Sequence, residues 1–583
     1  MEVIAAQAIA ADRCVALKKQ NSTMRKLIFL ISLIVLFSCK GKEQTIFHST
    51  QKNIQVSING QLTDWRISPE VNPDQLKVYC ISETNEVIFQ TDTDTIPFSI
   101  RKNDTIRFRI ILNSLDTAYT EIIGIKELPN KITNDEKLYW LSQVWSETKY
   151  NFVNIDQLTF DFDSLYKSII PEVLASTNDY EYYQVLRKFT ATLKDGHTQV
   201  YDGGQFYPFT DYIPISLQDF NEKIYITHVR KKANLDSTWI GAELIEIEEI
   251  PTVDYLKKNV FPYISASTEQ HLWMQSVYEI QSGFKDKLFK GTIRKVDGTI
   301  EKIELKRNGE ATRTPNDEHW GVTRSYSRNI VDLDWTDNNI AVISFNRFSP
   351  EDKAIKEFDE IVRKIGKAKG VIIDLRKNGG GSTGVAWHLQ KYLTKGNSFL
   401  NYAWETRISD GVRKANGNWK DEYKDYFLNK ALRFEKPEVV PVSDTLKRIK
   451  CPTAILVGRF TFSAAEDFLV NIYEAPDRPK LIGEETGGST GSPLVVQGLP
   501  GGGYARICTR RICYPISEKR FVNSGVKPDI EVKQTIDDYL NGKDVVLEKA
   551  IDVINNATQQ QIMAHSRLAV VWKNDWKRKY TNH

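Results

Sequence analysis

Ser463 stands in the stretch Phe460-Thr461-Phe462-Ser463-Ala464-Ala465-Glu466-Asp467-Phe468, just after the apolar run at 452–458. A serine at the join of a buried strand and a helix has two ordinary uses. It caps the helix, its hydroxyl accepting a first-turn N–H, or it is presented on a sharp turn as a nucleophile. In the second case the N–H of the next residue, Ala464, faces a developing oxyanion, and the positive end of the helix dipole points at the same spot. A nucleophile needs a group to take its proton. His197 in Asp195-Gly196-His197-Thr198 is a candidate, because imidazole titrates near neutral pH; alone it reads first as a satisfied surface histidine. Gly379-Gly380-Gly381 offers close backbone approach, for an oxyanion or for phosphate, although the lysine of a Walker-type loop is missing. Glu466 and Asp467 read first as acids that compensate the helix dipole.

These segments occur with others in a fixed order: Leu193-Lys194-Asp195-Gly196-His197-Thr198, the strand pattern 372–376 running into Asn378-Gly379-Gly380-Gly381-Ser382, and Thr461-x-Ser463-Ala464-Ala465-Glu466. Gly483-Glu484-x-Thr486-Gly487-Gly488, the run 499–503 and Gly525-Val526-Lys527-Pro528-Asp529-Ile530 follow. Over roughly residues 133–555 the sequence resembles the C-terminal processing, or tail-specific, serine peptidases, and more closely their tricorn-core branch. The resemblance implies Ser463 as nucleophile, with Ala464 and Gly380 as the oxyanion donors. In the processing branch a lysine about two dozen residues after the serine is the base; here Ser489 holds that position, so a Ser–Lys pair is not expected. The tricorn-type branch uses a histidine, which His197 matches. That branch also has a glutamate and a serine that orient the histidine, at positions occupied here by Val522 and Gly196. The candidates left to orient His197 are Asn523, Glu466 and Asp195. The implied activity is endopeptidase chemistry through an acyl-enzyme on a polypeptide or peptide, with no metal and no organic cofactor. The alternative is a catalytically impaired peptide-binding protein with the same fold; a third reading turns the nucleophile on esters.

The elements that position these residues follow from periodicity. Strand-like runs alternate with amphipathic helical runs between 338 and 535, as in an α/β core, a β-sheet with flanking helices that the resemblance makes crotonase/ClpP-like. We expect this serine peptidase core to span 313–555. Helical patterns at 134–145, 162–175 and 180–194 make 129–204 a helical segment that delivers the Asp195-Gly196-His197-Thr198 turn. Residues 205–312 return to strands and resemble a PDZ domain, the module that captures an extended peptide at a sheet edge; Glu248-Glu249 stands where that family has Asn-Gly. Residues 39–128 read as a small antiparallel β module, and 556–583 as a basic tail.

The chain has 583 residues, 41% hydrophobic and 26% charged, enough for several folded units. Its net charge of +3 gives no broad basic surface for nucleic acid. Met24-Arg25-Lys26, an apolar run and Leu36-Phe37-Ser38-Cys39 resemble a bacterial lipoprotein signal. That implies cleavage before Cys39, lipid on its thiol and a place in the cell envelope, with 1–38 removed as upstream extension and signal peptide. An uncleaved anchor helix is the other reading. Cys508 and Cys513 flank a turn-like stretch that permits a cross-hairpin disulfide. No cysteine or histidine spacing suggests zinc.

Overall fold

The computed structural model describes residues 128–560 apart from 286, 308–317, 323–328 and 522, together with seven strands between 44 and 122. The expected lipid site Cys39, the signal before it, the position of Val522 and most of the basic tail lie outside the described residues. The chain divides into two compact units, 1–127 and 128–583. In the first, three antiparallel strands over 44–68 form one sheet, and four between 76 and 122 form another.

The second unit opens with three helices, α1 (Asn134–Asn151), α2 (Phe162–Ala175) and α3 (Asp179–Ala191). Thr133 caps α1 in a reciprocal box: its hydroxyl accepts the Glu136 N–H, and the Glu136 carboxylate accepts the Thr133 N–H at 2.9 Å. Leu141 and Val144 face inward as their spacing requires and meet Leu186 and Phe189 of α3. After α3 the chain turns through Asp195–Thr198 into strand β1 (Gln199–Tyr201).

A separate antiparallel sheet follows, in the order β2 (Ile215–Phe220), β3 (Lys223–Arg230), β4 (Glu243–Ile247), β5 (Phe289–Arg294), β6 (Ile300–Leu305). It has its own apolar core, to which helix α4 (Glu269–Gln281) contributes Val277 and Ile280.

The central sheet is six-stranded: β7 (Val331–Trp335), β8 (Ile340–Phe345), β9 (Gly370–Asp374), β10 (Thr453–Val457), β11 (Lys480–Gly483), β12 (Ile530–Glu531). Only the edge pair β7–β8 is antiparallel. The inner strands read as unbroken apolar runs because both faces are covered. Ile343, Ile373, Ile455 and Val457 face one side, with helices α5 (Glu351–Lys364), α6 (Thr383–Leu393) and α7 (Ala464–Tyr473). Val342, Ile372, Ala454 and Leu456 face the other, where Val546, Ala550 and Ile554 of a helix over 545–560 close the core. That helix crosses the boundary expected at 555, since without it the second face would meet water.

Cys508 and Cys513 are free thiols. They do not flank a hairpin: the chain passes from β13 (Gly503–Cys508), which pairs with β1, straight into β14 (Arg510–Cys513), which pairs with Ala403–Arg407. Arg511 on β14 is fully buried. Its guanidinium donates to Asn154 Oδ1 at 2.8 Å, Val153 carbonyl at 2.8 Å and Glu405 at 3.2 Å, and also to Asp156. This fork fastens the segment after α1 to the strands behind the histidine turn.

Glu248 and Glu249 turn β4 back onto Ile250–Pro251 with φ of 51° and 64°. Two consecutive left-handed residues make the turn a hairpin bend that asparagine and glycine adopt at less cost. Glu248→Asn with Glu249→Gly should raise stability by roughly 1–2 kcal/mol, read as a higher urea midpoint. An unchanged or lowered midpoint rules out strain at this turn.

Candidate active site

Strand β10 ends in a turn that the Thr461 side chain builds, accepting the Gly458 N–H at 3.1 Å and donating to the Leu375 carbonyl at 2.9 Å. Two residues on, Ser463 has φ 56° and ψ −129°, a conformation that costs a side-chain-bearing residue about 1–3 kcal/mol. The surroundings impose it. The Ser463 N–H is held by the Ser489 carbonyl at 3.0 Å, and the Ser463 carbonyl accepts the Glu466 and Asp467 N–H groups at 2.7 and 3.0 Å. Its hydroxyl makes no cap bond to α7. It lies instead 3.0 Å from His197 Nε2.

His197 is positioned by the carboxylate of Asp195, which accepts the His197 N–H at 2.9 Å and the Thr198 hydroxyl at 2.9 Å. Asn154, held by Arg511, reaches the other oxygen of the same carboxylate at 3.4 Å. The imidazole is 2% exposed and lies flat against Phe462, ring centroids 4.9 Å apart and planes 1° from parallel. His271 of α4 stacks on Phe462 at 4.6 Å. Burial first, then the charges of Arg506 and His271, lower the His197 pKa to about 3. The ring is therefore neutral at physiological pH, with one nitrogen able to accept and the other bearing hydrogen.

The second ring nitrogen, Nδ1, is 2.8 Å from Ser489 Oγ. In the tautomer whose Nε2 accepts from Ser463, the Nδ1–H donates to Ser489, and this second contact holds the ring orientation. Both ring nitrogens are thus taken by serines. None of the three groups expected to orient the ring contacts it through these bonds. Asn523 is exposed and donates to Gln157 Oε1 at 3.1 Å. Asp195 holds the backbone of the histidine, and Glu466 acts one step behind Ser489. Glu466 is fully buried and accepts the Gly488 N–H at 2.7 Å, the Ser489 N–H at 2.9 Å and the Thr486 hydroxyl. Burial pushes its pKa up to about 8 against the pull of these donors. Asp467, read beside it as a first-turn acid, accepts the hydroxyls of Thr383 at 2.8 Å and Thr490 at 2.6 Å.

Of the two expected oxyanion donors, the Ala464 N–H has no hydrogen-bond acceptor among the described residues. The Gly380 N–H donates to Asn378 Oδ1 at 2.9 Å. Gly380 nevertheless packs directly on Ser463. At its φ of 92°, a Cβ would lie 2.6 Å from Ser463 Cβ and 2.8 Å from Ala464 N, so only glycine fits.

The residue missed in sequence was Ser489 as the partner of Nδ1. Its signal was its place: a side chain standing where one branch carries its base must reach the reacting centre. Phe462 and Asn378 lie inside quoted motifs but carried no chemistry of their own. Among the described residues no cluster of three or more His, Cys, Asp or Glu side chains could hold a metal ion, and no helix is long and apolar enough to cross a membrane.

Residues 339–532 match the model of peptidase family S41. Mature CPAF complexed with lactacystin is similar in fold, with a TM-score of 0.56 at 16% identity over 73% of this chain and 99% of that one. Mature CPAF by itself gives 0.53 at 16% over 70% and 94%. No curated protein matches the chain. The matched segment holds Ser463, Gly380, Glu466 and Ser489, the groups gathered around His197, so that the chain carries a peptidase S41 segment over 339–532 and is a serine-type peptidase.

Proposed function

We propose that the protein is an exported, lipid-anchored endopeptidase that hydrolyses peptide bonds through an acyl-enzyme on Ser463, with His197 as general base and then general acid. The observation that carries this reading is the bridge formed by one buried imidazole, 3.0 Å from Ser463 and 2.8 Å from Ser489. As Ser463 Oγ attacks the peptide carbonyl, its proton passes to Nε2 and the carbonyl electrons move to oxygen. The Ala464 N–H receives the oxyanion; the Gly380 N–H joins it by being shared with Asn378. His197 then returns the proton to the leaving amine, and water repeats the sequence to release the acid. Attack uses the tautomer in which Nε2 is the acceptor and Nδ1–H faces Ser489.

The proposal that the chain is anchored at Cys39 rests on the lipobox and the apolar run before it. Peptide capture by residues 205–312 rests on the resemblance of their strand pair, the turn at Gly241-Ala242-Glu243-Leu244 and the helix after it to a PDZ domain.

Wild-type protein should react with a fluorophosphonate probe and Ser463→Ala should not. His197→Ala should slow labelling by about a hundredfold or more; unchanged labelling would remove the histidine from the mechanism. Labelling rate should hold as pH falls below 6.5, the ordinary imidazole value, and drop toward the folded-state value of about 3. The sign follows from the depressed pKa: the folded protein resists protonation where the unfolded chain accepts it, so stability from this group is lost as pH falls through that window. An acid limb near 6.5 contradicts the buried, neutral imidazole.

Ser489→Ala should lower kcat/KM by roughly 10- to 1000-fold, mainly in kcat, which is less than the ~10⁴ associated with a charged partner. Ser489→Thr should retain more activity than the alanine variant. Equal kinetics for wild type and Ser489→Ala would show that the hydroxyl does not orient the ring.

Cys39→Ser should move the expressed protein from the membrane fraction to the soluble envelope fraction and abolish incorporation of labelled palmitate. Retention of palmitate in that variant would exclude Cys39 as the lipid site.

A further inference from the structure

The cavity over Ser463 encloses about 620 Å³, and its permanently charged lining consists of Arg187, Glu279 and Arg506. Arg187 and Glu279 neutralise each other through an ion pair of 2.9 Å. Arg506 has no such partner. Among the described residues its one hydrogen bond is a long one, 3.4 Å from Nη1 to the Tyr201 phenol oxygen. It is half-buried on β13, opposite Gln199 of β1, and Gln199 lies two residues beyond His197. Its charge reaches the imidazole, where it adds to burial in disfavouring the protonated ring.

A guanidinium has five donors in a planar fork, and one left partly desolvated without an acceptor carries a cost that an incoming anion removes. The salt-bridged arginines elsewhere show the contrast: Arg459 is paired with Asp219 and Glu484, and Arg376 with Asp374 and Asp544. Those pairs are structural. Arg506 instead stands on the wall of the reaction cavity with its charge uncompensated.

We propose that Arg506 determines substrate specificity by binding a carboxylate of the peptide held in the cleft, in a charge-assisted, two-point contact. This rests on the reading of Ser463 and His197 as a peptidase centre. The carboxylate has two sources in a peptide, an Asp or Glu side chain and the chain terminus. The cleft then selects anionic peptides: a neutral amide in the same place leaves the guanidinium unpaired and loses the charge-assisted bond.

The test uses the full-length Ser463→Ala protein, which holds peptide without cleaving it. It is incubated with an equimolar synthetic mixture in which each sequence occurs with Glu or Gln and with a free or amidated carboxy terminus, and bound peptides are counted by mass spectrometry. Carboxylate members should be enriched at least about tenfold over their amide twins. The enrichment should vanish when Arg506→Gln is added and persist in part with Arg506→Lys, each variant being checked for an unchanged circular dichroism spectrum. Enrichment of Glu over Gln assigns the side chain as ligand; enrichment of free over amidated termini assigns the terminus. No enrichment, or enrichment that survives Arg506→Gln in a folded protein, overturns the proposal. Failure of the peptidase reading is seen separately, as absence of fluorophosphonate labelling at Ser463 in the wild type.

Discussion

The site depends on the capture of the 486–489 loop by one buried carboxylate. Glu466 projects from the first turn of α7, the helix that begins immediately after the nucleophile, and gathers the Gly488 and Ser489 N–H groups and the Thr486 hydroxyl. The captured loop returns the Ser489 carbonyl to the Ser463 N–H. Ser463, α7 and Ser489 therefore form one closed ring of bonds. Removing the carboxylate would leave two buried N–H groups without acceptors, each costing about 1–3 kcal/mol. The dipole of α7 favours negative charge at this end, whereas burial opposes it and raises the Glu466 pKa to about 8.

The strained backbone at Ser463 is what this ring sustains. A positive φ at a serine persists only where neighbours over-determine it, and three independent supports do so: the Thr461 turn, the loop carbonyl, and the sheet strand β10, buried on both faces. Gly380 then closes against the serine at a distance no Cβ tolerates. A central parallel sheet suits this purpose because β10 is hydrogen-bonded on both sides, so the strain is borne by an element that cannot relax by sliding.

Much of the core was legible before any coordinates. Apolar runs such as 453–457 and 370–374 read as doubly covered strands, and the sharp exit at 461–463 read as a place for a nucleophile, because local periodicity and turn chemistry decide both. The pairing of His197 with Ser463 came from a resemblance among ordered motifs, since nothing local links residues 266 positions apart. What stayed hidden depends on tertiary closure. Ser489 was visible as an unusual occupant, yet a serine carries no titrating signature that announces a role. Asn523 was a candidate because it follows the family position at 522, and Glu466 because it could approach in space; the fold sends one toward Gln157 and the other under the loop. The boundary expected at 555 falls inside the helix over 545–560, because the need to cover the second face of the sheet is not a local property.

A serine at Nδ1 bears on the role proposed for His197 as base. A carboxylate there would stabilise imidazolium by direct charge; a hydroxyl offers only a dipole, so the cation that the proposed attack forms would have no anion at Nδ1 to neutralise it. The Phe462 ring, stacked on both His197 and His271, adds a polarisable face but no full charge. Arg506 disfavours the same cation. A substrate carboxylate paired with Arg506 would cancel that field at the moment the imidazole is asked to accept a proton. In such a cleft, binding the right substrate and raising the basicity of His197 are one electrostatic event, which couples recognition to the proton transfer without any movement of the fold.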